Sequence, residues 1–264
     1  TVHYRVTDVI ADPLNSRQKY SEKLFRLPDC FLCYTPPPNL PAVTDAPNSS
    51  NGFVTFGSFN KIAKVQEWVF DLWCRLLHKV PNSRICLKSA QAFTANSICE
   101  TWYSKFEKKG IVRERVQFLG FAVGHDSHMS AYKHLDVSLD TFPYGGTTTT
   151  VESLLMGVPV VSLRAPLDAP LHVQNVGASI LSCAGLATWV ASDEEAYLEI
   201  AAELAGDCLR LQQLRFSLRD TLLNSPVGDT PRYTRNVEAM YRQMWQVFCG
   251  TDWPPNADLC TNTA

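Results

Sequence analysis

The densest chemistry in the sequence lies in one stretch, Asp140-Thr141-Phe142-Pro143-Tyr144-Gly145-Gly146-Thr147-Thr148-Thr149-Thr150-Val151-Glu152. The two glycines let backbone approach a ligand closely. Thr147, Thr148, Thr149 and Thr150 then open an apolar run with helical spacing, which Gly157 closes. A helix N-terminus offers unpaired N–H groups and a partial positive charge, a setting that suits a diphosphate. Threonine hydroxyls add donors. An N-cap needs a single threonine, so the run behind a glycine pair exceeds what capping explains. No lysine follows the glycines, and the stretch is therefore not a P-loop. Glu152 has two readings: it caps its own helix, or it accepts hydrogen bonds from the two hydroxyls of a ribose, as acids do in dinucleotide-binding folds.

Two further loops carry candidate groups. Gly57-Ser58-Phe59-Asn60-Lys61-Ile62-Ala63-Lys64 places two lysines just before a helical pattern. Lysine is unfavourable at the positive end of a helix. Lys61 and Lys64 are thus either a solvated pair or cations aimed at a bound phosphate. Gly120-Phe121-Ala122-Val123-Gly124-His125-Asp126-Ser127-His128 places His125 and His128 after a strand-like segment. They can contact a base or phosphate or serve the structure, but a metal site would need a third ligand and none is in view. Cys30 and Cys33 form a C-x-x-C without a second ligand pair. They lie in a run, residues 30–34, that looks like a strand, and they read as structural.

These loops need a scaffold, and the hydrophobic pattern supplies one. Strand-like runs fall at residues 53–58, 84–88, 116–119, 137–139 and 158–163, with helical spacing at 65–80, 94–109, 127–135 and 148–156 between them. Five such alternations predict a parallel sheet with helices on both faces. In such folds ligands bind beyond the carboxyl ends of the strands, where all three loops lie. The rest, residues 171–182, 193–223 and 232–248, reads as helix. Residues 1–34 hold strand-like pieces and a short helical piece at 16–27. Residues 35–52, rich in Pro, Asn and Ser, read as a linker before the main domain at 53–264.

Composition sets outer limits. The chain has 264 residues, 45% of them hydrophobic and 19% charged, with a formal net charge of −2. That balance supports a sizeable core and argues against general affinity for nucleic acid or an anionic membrane. No apolar run is long enough to span a bilayer. The cysteines, nine in all and mostly within apolar stretches, read as buried, reduced thiols of a cytosolic type of compartment. The chain opens at Thr1 in mid-pattern and reads as a fragment of a longer protein.

On these residues the sequence resembles the SPINDLY-type protein O-glycosyltransferases, within the O-GlcNAc transferase family. The resemblance is carried by Phe56-Gly57-Ser58-Phe59-Asn60 with Lys64, by Leu139 through Thr150, and by Glu152-Ser153-Leu154 with Met156-Gly157-Val158-Pro159. It extends to Tyr4-Arg5-Val6-Thr7-Asp8, Leu27 through Tyr34, and Tyr241-Arg242-Gln243-Met244-Trp245. It implies a GT-B fold, two Rossmann-like halves with a nucleotide sugar between them. This chain would be the C-terminal half, and residues 1–34 the tail of the other. It implies metal-independent, inverting transfer of a sugar to Ser or Thr hydroxyls of nuclear and cytoplasmic proteins. By resemblance Lys64 neutralises the departing diphosphate, Thr147, Thr148 and Thr149 hold it, Glu152 binds the ribose, His128 lies in the donor site, and Val123 and His125 fall at the base; Gly146, from the glycine pair, belongs to the same binding set. Lys61 joins them as the second loop lysine. The resemblance favours GDP-fucose as donor, since O-GlcNAc enzymes tend to carry histidine at the Thr147 position; UDP-GlcNAc is the alternative. It also implies that a chain lacking the other half cannot complete the reaction, and a non-catalytic nucleotide-binding module stands as a third reading. The stretch 164–171 carries a few residues more than such relatives have.

Overall fold

The computed structural model describes residues 2–16, 18–89, 92–120, 124–166 and 170–250. Its centre is a six-stranded parallel sheet of β3 (Val54–Ser58), β4 (Ser83–Lys88), β5 (Val116–Leu119), β6 (Val137–Leu139), β7 (Val160–Leu163) and β8 (Val190–Ala191), in the order β5-β4-β3-β6-β7-β8. Helices α2 (Glu67–Lys79), α3 (Asn96–Lys108), α4 (His125–Ser130), α5 (Thr148–Leu155), α6 (His172–Cys183), α7 (Glu194–Gly206) and α8 (Cys208–Leu223) connect or flank these strands. The strand order runs one way from β3 to β5 and the other way from β6 to β8. The reversal between β3 and β6 is the topological switch point, where loops on the two sides part and leave a crevice. The loops that leave β3 and β6 carry the lysines and the threonines.

Burial explains why the central strands read as continuous apolar runs. Every residue of β3 and β7 is buried, as parallel strands covered on both faces must be. Phe56, Trp73, Leu77, Ile85, Val137, Leu154 and Val161 are fully enclosed. The chain packs tightly against itself at Gly57 in β3, where an added Cβ would lie 2.3 Å from Leu135 Cδ2 and 2.4 Å from the Cys86 carbonyl. Gly157 is set twice over. Its φ is +74°, and a Cβ there would sit 2.0 Å from the Arg215 carbonyl of α8. Arg215 is itself buried. Its guanidinium donates to the carbonyls of Met156 (3.0 Å), Tyr132 and Leu135, and burial pushes its pKa down to about 10.

The amino-terminal segment departs from expectation. The described residues between 16 and 27 are not helical: Lys23–Leu27 forms strand β2, parallel to β1 (Tyr4–Asp8) with Tyr4 opposite Lys23 and Asp8 opposite Leu27. The main-chain groups of β1 supply partners that outweigh the weak helical spacing. Residues 30–34 are not a strand either. They join no strand, and the Tyr34 N–H donates to the Val227 carbonyl. Two buried carboxylates tie this segment to α6. Asp8 accepts the N–H groups of Ile10, Ala11 and Phe31, and the Ser179 hydroxyl at 2.5 Å. Asp12 accepts Thr7 Oγ1 at 2.5 Å, the Tyr20 hydroxyl at 2.6 Å and His172 Nδ1 at 2.7 Å. Burial alone would raise the Asp12 pKa, but the bonds from His172, Thr7 and Tyr20 outweigh it and bring the group to about 2.

Residues 35–52 are strapped to the domain. They contain a single helical turn, α1 (Asn48–Asn51), Ala46 is buried, and Arg219 of α8 donates to the Pro41 carbonyl at 2.8 Å. The last helix, α9 (Thr230–Phe248), packs against β2, and Arg232 grips Asp29 with both arms of its guanidinium. The expected single helical stretch at 193–223 is two helices, broken at Asp207, which caps α8 by accepting the Arg210 N–H. The two-residue strand β8 is too short to leave a pattern in sequence. The cysteines also need correction. The eight described ones are all free thiols, but Cys208 and Cys249 are exposed, on the outward faces of α8 and the end of α9. Among the described residues, no helix is long and apolar enough to cross a membrane.

Candidate nucleotide-sugar site

The site is organised by a carboxylate that the sequence shows only as the polar end of an apolar strand. Asp140 follows β6 and is buried. One of its oxygens, Oδ1, accepts the Gly146 N–H at 2.6 Å, the Thr141 N–H at 2.9 Å and Asn60 Nδ2 at 3.2 Å. The other accepts the Ser162 hydroxyl of β7 at 2.8 Å. The Asp140 carbonyl takes the Tyr197 hydroxyl of α7 at 3.1 Å. Burial pushes the Asp140 pKa up, against the donors that favour its charged form. The loops after β3 and β6, strand β7 and helix α7 thus converge on one residue. Helix α6 closes over it at Gly177, where a Cβ would lie 2.6 Å from Asp140 Oδ2.

That arrangement presents the start of α5. Thr147 is the N-cap, and no side chain caps the helix, which leaves its first amides to a ligand. Gly146 sits under them with no room to spare: an added Cβ would lie 2.4 Å from Thr149 Oγ1, 2.8 Å from Thr150 Oγ1 and 3.2 Å from Asn60 Oδ1. Thr147 and Thr149 are partly buried, Thr148 is exposed and Thr150 is buried. The expectation that every threonine hydroxyl is a donor needs adjusting. Thr149 Oγ1 gives its proton to Asn60 Oδ1 at 3.0 Å, so Thr149 has its backbone amide left to donate.

Lys64 reaches the same place from the other side of the crevice. It ends a short 3₁₀ turn, Ile62–Lys64, and its Nζ donates to the Gly145 carbonyl at 2.8 Å. The ammonium lies 4.0 Å from the centre of the Tyr144 ring, a favourable cation–π contact. Burial lowers its pKa, and the Asp140 carboxylate opposes the shift. Lys61 is exposed and outside this group, its carbonyl accepting the Lys64 N–H.

One helical turn along α5, about 6 Å by the helix rise, lies the second pole. Glu152 is buried, and its Oε2 meets His128 Nε2 at 3.0 Å and the Tyr132 hydroxyl at 3.5 Å. Tyr132 also donates to the Thr149 carbonyl at 3.2 Å. Burial, then Glu152, raises the Tyr132 pKa well above that of a free tyrosine. On the far side of the imidazole, His128 Nδ1 contacts Lys88 Nζ at the end of β4. The reading of Glu152 as a helix cap is overturned, since no side chain caps α5. His128 and Glu152, predicted separately, are brought together. Val123 lies outside the described residues, as do 167–169 in the longer loop. His125 opens α4, but its side chain too is outside the description.

Sequence reasoning missed Asp140, Asn60, Lys88 and Tyr132. Asp140 and Lys88 had a signal, each being a charged residue that directly follows apolar residues at the carboxyl end of a strand. Tyr132 had none, because an aromatic in a helical pattern reads as core. Arranged this way, an uncapped helix start and a lysine can hold a diphosphate, and a carboxylate one turn on can take paired sugar hydroxyls.

Residues 45–237 match the sequence profile described as Glycosyl transferase family 41. The chain is 46% identical over 254 residues to a Solanum lycopersicum protein named probable UDP-N-acetylglucosamine–peptide N-acetylglucosaminyltransferase SPINDLY, covering 96% of this chain and 27% of that one. The Arabidopsis thaliana protein with the same description but named SEC is 30% identical over 271 residues, again 27% of its length. The chain therefore spans about a quarter of the relatives it matches. Among solved structures, a mutant of the O-GlcNAc transferase of Thermobaculum terrenum superposes with a TM-score of 0.84 at 33% identity, covering 94% of this chain and 46% of that one. Sucrose-phosphate synthase from Thermosynechococcus elongatus, at 12% identity and a TM-score of 0.59, shares the fold alone. The architecture is that of one half of a GT-B glycosyltransferase, and by the reach of the profile match the chain belongs to glycosyltransferase family 41.

Proposed function

We propose that this chain is the donor-binding half of a protein O-glycosyltransferase, and that GDP-fucose is its donor. The observation that carries the first part is the meeting of Lys64 with the uncapped, threonine-led start of α5 across the crevice. In an inverting transfer, a Ser or Thr hydroxyl of the acceptor attacks the anomeric carbon. The bond from that carbon to the diphosphate breaks, and negative charge grows on the departing nucleoside diphosphate. Lys64 and the amides of Thr147, Thr148 and Thr149 face that charge and stabilise it in a partly enclosed site. Glu152, held by His128, takes the ribose hydroxyls and fixes the register of the nucleotide. The reaction needs no metal in this reading, because the lysine and the helix start supply the positive charge.

GDP-fucose is favoured by threonine rather than histidine at position 147 and by the greater identity to the SPINDLY proteins than to SEC. The names of those relatives favour the second reading, UDP-GlcNAc. Acceptors are nuclear and cytoplasmic proteins in either case. Calorimetric titration with GDP and with UDP separates the two. Tighter binding of GDP supports fucosyl transfer; tighter binding of UDP transfers the assignment to N-acetylglucosamine. Binding of neither sinks the donor-site reading.

A further inference from the structure

The contact between Lys88 and His128 carries a consequence for Glu152. Lys88 ends β4 with its residue almost fully buried, and its Nζ contacts His128 Nδ1 and lies 5.4 Å from the centre of the Phe59 ring. Burial lowers its pKa, and Glu152 opposes that shift. An ammonium group can only donate. Nδ1 of His128 must then accept, and the ring proton must sit on Nε2, the atom that faces Glu152 Oε2 at 3.0 Å. A carboxylate also requires a proton on the nitrogen opposite it. Both ends of the imidazole therefore demand the same tautomer.

We infer that Lys88 is a positioning residue for nucleotide binding: it fixes His128 as the Nε2–H tautomer, and His128 in turn holds the Glu152 carboxylate toward the ribose. This rests on Glu152 being the ribose acid. The neutral imidazole links a cation to an anion, from Lys88 Nζ through Nδ1 and Nε2 to Glu152 Oε2. Tyr132, one turn beyond His128, bonds the same carboxylate oxygen.

Nitrogen NMR of the labelled chain tests the tautomer directly, with His128→Gln assigning the signal. The expected result is a protonated Nε2 and an unprotonated, hydrogen-bonded Nδ1 in the wild type, with the Nδ1 signal moving in Lys88→Met as its donor is lost. A wild-type Nδ1–H tautomer, or an Nδ1 signal that does not move in Lys88→Met, overturns the inference. Affinity gives the second reading. Lys88→Met should weaken binding of GDP or UDP, whichever binds, about tenfold, the scale of one charge-assisted hydrogen bond. Lys88→Arg should restore most of it. A folded Lys88→Met chain that binds within twofold of wild type refutes the role. If the wild type binds neither nucleotide, the donor-site reading fails while the tautomer measurement still decides the link from Lys88 to Glu152.

Discussion

Replacing Asp140 should separate the site's framework from its charge. In Asp140→Ala, four donors lose their acceptor at once: the Gly146 and Thr141 amides, Asn60 Nδ2 and the Ser162 hydroxyl. Each buried donor left unsatisfied costs about 1–3 kcal/mol. Part of that is returned because a buried carboxylate no longer has to be kept out of water. A net loss of about 3–5 kcal/mol is expected, a large share of the stability of an ordinary domain. Asp140→Asn has a different outcome. Its carboxamide oxygen can keep the three donors now on Oδ1, and its amide can donate to Ser162 Oγ after the hydroxyl turns. It should cost about 1 kcal/mol. Urea denaturation followed by far-ultraviolet dichroism measures both. The same pair should diverge in nucleotide affinity, with Ala losing most of it and Asn retaining it, because the Gly146 amide sets where α5 begins. If Asp140→Ala unfolds within about 1 kcal/mol of wild type, the carboxylate does not hold the loops and the account of the site is wrong.

Three further outcomes follow from the same geometry. The Asp12 pKa of about 2 lies below the ordinary 3.8, so the group contributes stability above about pH 4 that disappears as pH falls through about 2. The contribution is about 2 kcal/mol; acid titration of the unfolding free energy should show that loss in the wild type and not in Asp12→Asn. Lys64→Ala should lower sugar transfer by the whole enzyme by 10²–10³, about 2.7–4 kcal/mol of transition-state stabilisation; full retention of turnover would remove Lys64 from the chemistry. Gly146→Ala puts a methyl 2.4 Å from Thr149 Oγ1. It should weaken nucleotide binding far more than it lowers the melting temperature, and calorimetry beside thermal unfolding distinguishes the two.

The sheet was legible because its strands are buried on both faces and leave unbroken apolar runs; β5 and β6 match the sequence-based bounds at Val116–Leu119 and Val137–Leu139. Helix α5 was legible because glycines bracket it. What escaped the sequence was set by tertiary partners. Residues 16–27 show weak helical spacing, and only the main chain of β1 makes Lys23–Leu27 a strand. Residues 30–34 look like a strand but find no ladder. In the site, Lys64, Gly146, the threonines and Glu152 stood out because their types are unusual in those positions. Lys88 and Tyr132 did not, because their roles depend on which residues a crossover between distant strands brings opposite them.

The convergence on Asp140 also bears on how fast a ligand can be caught. The loops after β3 and β6, strand β7 and helix α7 are bonded to that residue through the protein's own groups. A cleft assembled beforehand has little to rearrange on arrival, so the entropy of ordering loops does not have to be met at the encounter. Capture of a nucleotide by this half should then be a single diffusive event, its observed rate rising in proportion to ligand concentration with no plateau from a slow closing step. Any slow step in a full catalytic cycle would lie elsewhere, in the meeting of the two halves or the release of product.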